Sequence, residues 1–174
     1  MENMADLNAT FRQLIMLASG LENVILAGQT GEIPSDCYAT YKPIPVRVYG
    51  HSEHSMTEIV PQEAFADSLG TEWTDLQDTV FSSMEFTLSV NIFNEGADNA
   101  TVRLHNANLR NPVSAFLFRN GIAWRSTSAS RDLTALSTSS QKANWQTDIH
   151  LFIKKTLSYP VLRAAGFTID VQKQ

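Results

Sequence analysis

Few side chains in this sequence combine the types and spacing that chemistry needs, and the sharpest group is His51-Ser52-Glu53-His54 with Glu58. Imidazole nitrogens and a carboxylate are common zinc ligands, and a metal so held can activate water for hydrolysis. Spaced three apart, His51 and His54 would share a face only on a helix. Their flanks carry no helical period, and a polar, solvated loop accounts for the same residues.

The remaining candidates are weaker. Cys37 is the single cysteine, which excludes an intrachain disulfide and a cysteine-based zinc site. As a nucleophile it would need neighbours that lower its pKa, and it reads instead as a small packed apolar residue. Asp148 and His150 fall on the same, outward face of one alternating segment, where an acid and a base would sit, but so would the wet side of any half-buried strand. Gly28-Gln29-Thr30-Gly31 offers two glycines without the lysine or the helix N-terminus of a phosphate loop. Trp73, Trp124 and Trp145 lack the basic neighbours of a base-stacking surface, so packing is the expected use. Phosphate-loop, nucleophile-elbow and His-Glu-x-x-His signatures are missing. The expectation is a chain with no catalytic residues, no cofactor and no metal.

The elements that would position these residues follow from periodicity. Leu7, Phe11, Leu14, Ile15 and Ala18 mark one face of a helix, with Asp6 as its N-cap and Gly20 as a left-handed stop. A short strand, Asn23 to Ala27, and a loop through Pro34 come next. Cys37 to Tyr49 is strand-like, but Pro43 and Pro45 require a break or an edge there. Gly50 to Thr74 shows no sustained period and reads as an irregular arm or hairpin. Met84 to Phe93 alternates cleanly, with Leu76 to Phe81 as its upstream partner strand.

A helix from Ala97 to Leu109 has a narrow face of small residues. Asn111-Pro112 opens another helix as N-cap and first residue, closed by Gly121. Ile122 to Thr127 is a strand, 128–141 is Ser/Thr-rich, and Ala143 to Ile153 is a second long alternating strand. A connector at Tyr159-Pro160 leads to a final strand, Phe167 to Val171. This order gives an α+β fold: a mixed or antiparallel sheet with helices packed on one face.

The 174 residues fit a single domain, 1–174, with the arm at about 50–74. The apolar fraction of 43% is ordinary, but 18% charged is low, which suits a surface meant for subunit contacts. A formal net charge of −5 and the absence of any basic run argue against a general nucleic-acid binder. No apolar run is long enough to cross a bilayer. The first six residues lack the basic and apolar regions of a signal peptide. The expectation is synthesis and assembly in a reducing cytoplasm, which makes the Asn-x-Thr sequons at Asn8 and Asn99 chance matches.

Several segments, read in order, resemble a known family. Val24-Ile25-Leu26-Ala27-Gly28-Gln29 comes first, then Tyr38-Ala39-Thr40-Tyr41 and Phe86-Thr87-Leu88-Ser89-Val90-Asn91-Ile92-Phe93. Gly96-Ala97-Asp98-Asn99-Ala100 and Arg103-Leu104 follow, then Leu117, Gly121-Ile122-Ala123-Trp124, Arg131-Asp132-Leu133-Thr134-Ala135-Leu136 and the strand bearing Asp148. Over roughly residues 7 to 172 this is similar to the neck-terminator and tail-terminator proteins of contractile-tailed phages. These are packing motifs, and their specificity lies in number and order. Where that family has a Glu-Arg-Ala start to the strand carrying the Asp, this chain has Gln141-Lys142-Ala143, which removes a carboxylate and replaces a guanidinium by an ammonium.

The resemblance implies a structural virion protein of the neck. It would form a homo-hexameric ring between a head-side connector or adaptor protein and the tail tube or sheath. DNA would pass through its lumen without specific binding, and no membrane would be involved. A cyclic contact needs two unlike patches on each subunit. The candidates are the 50–74 arm, foremost, the 128–141 loop and the solvent face of Met84 to Phe93. The alternatives are a soluble tail-assembly chaperone and a small metal-dependent hydrolase using His51, His54 and Glu58.

Overall fold

The structure, a computed structural model, describes residues 4–30, 32–60, 74–136 and 143–161. In chain order its elements are α1 (Met4–Ser19), β1 (Val24–Leu26), β2 (Tyr38–Ile59), β3 (Asp75–Phe93), α2 (Ala97–His105) and a 3-10 turn (Ala107–Leu109). These are followed by α3 (Asn111–Arg119), β4 (Ile122–Thr127), β5 (Arg131–Asp132), a second 3-10 turn (Thr134–Leu136) and β6 (Asn144–Val161). The fold is α+β, as its periodicities imply. The chain divides into two compact units: Met1–Gly50 with Ser83–Lys155, and His51–Ser82 with Thr156–Gln174.

The sheet is mixed, in the order β1-β2-β3-β6-β4, with β5 also on β6. β1 runs parallel to the start of β2, with Val24 opposite Ala39 and Leu26 opposite Tyr41. β4 and β5 run antiparallel to β6. Alternation along the long strands sends one set of side chains inward. Phe86, Leu88, Val90 and Ile92 on β3, and Ile149, Leu151 and Ile153 on β6, are buried. Thr87, Ser89, Gln146 and His150 lie on the opposite face, linked by hydrogen bonds from Gln146 Nε2 to Ser89 Oγ and between Thr87 Oγ1 and His150 Nδ1.

The helices cover the inward face. Phe11, Leu14, Ile15 and Ala18 of α1 are fully buried, with the Phe11 ring 5.8 Å from that of Phe86. Ala97, Ala100 and Leu104 give α2 the small buried face read from the sequence, and Val113 and Leu117 seat α3. The Tyr41 hydroxyl ties sheet to helix by donating to the Asn8 carbonyl at 2.8 Å. α1 ends as expected at Gly20, whose φ of 80° is left-handed. Its last carbonyls are satisfied by guanidiniums: Arg103 donates to Ser19 O, and Arg110 to Ala18 O.

Several boundaries differ from the sequence reading, each for a physical reason. Helix α1 starts at Met4, so Asp6 is in its first turn, where a carboxylate favours the helix dipole. Leu76 to Phe81 and Met84 to Phe93 are one strand, because Ser82-Ser83 offers no Gly, Asn or Asp for the positive φ that a tight hairpin turn requires. The helix from Ala97 breaks at Asn106 into a 3-10 turn, and Arg110, not Asn111, is the N-cap of α3.

β2 continues through Pro43 and Pro45, which is possible because its pairing with β1 ends at Tyr41 and no other described strand pairs that edge. Gly50 to Ile59, read as irregular, is strand; residues 61–73 of that stretch lie outside the described residues. Tyr159-Pro160, read as a connector, continues β6, beyond the span that β4 pairs. The strand expected at Phe167 to Val171 lies outside the described residues, as do residues 137–142.

Candidate functional site

His51 and His54 stand on β2, and an extended strand turns residues three apart to opposite faces. Glu58 shares parity with His54 but lies about 13 Å along the strand at ~3.3 Å per residue. The structure therefore does not gather His51, His54 and Glu58 around one point. No group of three or more His, Cys, Asp or Glu among the described residues is placed to hold a metal.

His54 has a different partner. Its Nδ1 is 2.8 Å from Asp78 Oδ2 on β3, and the same oxygen accepts a 2.7 Å hydrogen bond from the Tyr159 hydroxyl on β6. Thr79 and Ser158 exchange a further 3.0 Å bond between β3 and β6. Asp78 is 3% exposed and lies on β3, between the second unit's described segments of β2 and β6. The Tyr159 hydroxyl bond, and after it the His54 bond, hold its carboxyl below the usual carboxylate range, while the bond to Asp78 raises the Tyr159 phenol. A charged acceptor shared by two donors makes strong hydrogen bonds. The sequence reading missed this network because Tyr159 lies 81 residues from Asp78 and was assigned to a connector. An aspartate inside a strand-like run, where Asp is unfavourable, was the available signal.

The other candidates are also apart. Burial, reinforced by nearby Asp98, pushes the Cys37 thiol pKa up, opposite to what a nucleophile needs. Asp148 and His150 share the helix-free face as expected, but His150 Nδ1 meets Thr87 Oγ1, and strand spacing sets the pair about 7 Å apart along the backbone. Trp124 and Trp145 pack against the core, and the Trp124 indole N–H donates to Thr127 Oγ1. Trp73 lies outside the described residues. Gly28 sits in a β-turn closed by the Gln29 N–H donating to the Leu26 carbonyl at 3.3 Å, with φ 88°; Gly31 lies outside the described residues. Two hollows, one lined by Gln13, Met16, Leu17 and Phe116 and one beside Arg12 and Tyr41, bring no acid, base and nucleophile together.

The helix-free face of the first unit has a denser grouping. Arg47 on β2 donates to Glu85 on β3 at 3.0 Å and lies 5.7 Å from the Tyr49 ring centre. Tyr49 meets Phe152 of β6 across β3, with ring centres 5.1 Å apart. Arg125, beside the irregularity between Trp124 and Ser126 on β4, stands 5.3 Å over Phe152. The row therefore crosses four strands and joins arginines to aromatic rings, the residue types that dominate protein interfaces. It includes the solvent side of Met84 to Phe93, one of the patches read from the sequence.

The described residues thus offer surfaces and packed cores, with no metal-binding cluster among them. No curated protein matches the chain. The profile of the family described as phage neck terminator protein matches residues 5–174, nearly the whole length. The resemblance read from the ordered packing motifs is thereby borne out, and the chain belongs to the phage neck terminator family.

Proposed function

We propose that the chain is a structural subunit that assembles into a ring, a hexamer, at the phage neck. The ring ends the tail and joins it to a head-side connector or adaptor protein, with the tail tube or sheath on its other side. DNA passes through the lumen, and the subunit acts as one terminator domain in the virion after assembly in the host cytoplasm. The observation that carries this reading is the family match along nearly the whole chain. The surface supports it: an arginine–aromatic row lies open on a sheet face that no helix of the described residues covers. A net charge of −5 suits a lumen that DNA traverses without being gripped, since phosphate binding needs clustered cations.

Mass spectrometry of purified virions tests the reading directly. Peptides of this chain are expected in tailed particles at a fixed ratio to the other neck proteins. Abundance in infected-cell lysate with absence from particles would support an assembly chaperone instead. A metal hydrolase at His51, His54 and Glu58 has no geometric support, and elemental analysis of the purified protein is expected to find no stoichiometric zinc.

A further inference from the structure

A closed ring of identical subunits needs two unlike, complementary patches on each one, and the first unit carries such a pair. One is the row on the helix-free face. Tyr49 is 47% exposed and the Arg47 side chain 66% exposed, although Glu85 neutralises Arg47 at 3.0 Å. Arg125 is exposed and has no carboxylate partner among the described residues. It stands 5.3 Å over the Phe152 ring, a weak contact at an exposed site that biases its position before any partner arrives. By contrast, Arg12, Arg103 and Arg110 all donate to backbone carbonyls of their own subunit.

The other patch is at the opposite end of the same stretch of β3, about 27 Å from Glu85 at ~3.4 Å per residue. Asn94 stands there at φ 71°, and its side-chain amide donates to the carbonyls of Pro34, Ser35 and Asp36 at 3.3, 3.0 and 2.8 Å. This fastens the loop before β2 to the corner between β3 and α2: the exposed Asp36 is tied to Asn94, next to the exposed Glu95, and the exposed Asp98 is near enough to act on the Cys37 thiol beside Asp36. No ion pair among the described residues neutralises any of the three. The two patches are too far apart to meet within one subunit.

We propose, resting on the ring reading above, that the Arg125–Phe152–Tyr49–Arg47 row of one subunit docks on the Asp36–Glu95–Asp98 corner of a second copy of this chain. The rings supply desolvated contact area and Arg125 supplies register against the carboxylates. Nucleic acid is the poorer occupant: with Arg47 already paired to Glu85, the row has no run of cations to follow a phosphate backbone.

Charge reversal on the full-length protein tests this, with oligomeric mass measured by sedimentation over a range of concentration and salt. Arg125→Glu and Glu95→Arg, both at exposed positions, are each expected to retain the wild-type circular dichroism and to weaken assembly about tenfold or more. Arg125→Gln should weaken it less. The double variant, or an equimolar mixture of the two single variants, should recover wild-type assembly, because both restore opposite charges at the contact. Single variants that assemble as wild type, or a double variant no better than its parents, would overturn the docking while leaving the ring intact. A wild type that stays monomeric at every concentration would remove the ring reading itself. Duplex DNA binding lost with Arg125→Glu, with assembly unchanged, would assign the row to nucleic acid and overturn the proposal.

Discussion

Asp78 illustrates how a residue can look catalytic and be structural. A His, a carboxylate and a Tyr linked at 2.8 and 2.7 Å are the types an active site uses, yet both donors end on one carboxylate oxygen, and the described residues gather no metal-binding cluster around it. Asp78→Asn is expected to loosen the second unit, seen as faster backbone hydrogen exchange in 75–82, with little change in the buried strand Phe86 to Ile92. Because the folded carboxyl pKa is lowered, the network's stabilisation is fully present above the usual carboxylate range, about 3.9, and is lost as pH falls through the lower folded value. The exchange difference between wild type and Asp78→Asn should therefore be large near neutral pH and should shrink in acid. At this scale the sequence already argued against a metal site, since the flanks of His51 and His54 carry no helical period, and the extended β2 parts the two residues to opposite faces.

At the scale of elements, what was legible was whatever had a strong period. Met84 to Phe93 and Ala143 to Ile153 alternate in sequence, and their buried sets are the ones alternation names. α1 was legible from its apolar stripe and from Gly20. The ends of the long strands were not legible, because past the helices both faces of β2 are exposed and no burial pattern marks Gly50 to Ile59 as strand. Leu88 is fully buried at the centre of β3, so Leu88→Ala should destabilise the protein by about 2–5 kcal/mol, read from chemical unfolding. Gly20→Ala meets a left-handed φ, while its new Cβ, 2.5 Å from Arg103 Nη1, only has to push aside the flexible end of that side chain. The backbone strain alone is about 1–2 kcal/mol, and a lower unfolding midpoint with α1 intact elsewhere is the expected result.

For the whole molecule, the open arginine–aromatic face is the kind of surface that a structural phage neck protein would use. Composition gave a hint, since a low charged fraction suits subunit contacts. The surface itself was not legible, because Arg47, Glu85, Arg125 and Phe152 meet only through the order β2-β3-β6-β4, and nothing in local spacing encodes that order. The same holds for Asn94 and the loop 34–36, joined across about 60 positions by one side chain. Under the function proposed above, this chain works by closing on copies of itself. Electron microscopy of the purified, full-length protein tests it most directly. Closed rings of one size, hexameric by symmetry averaging, are the predicted result; a population of single subunits at every concentration would contradict it.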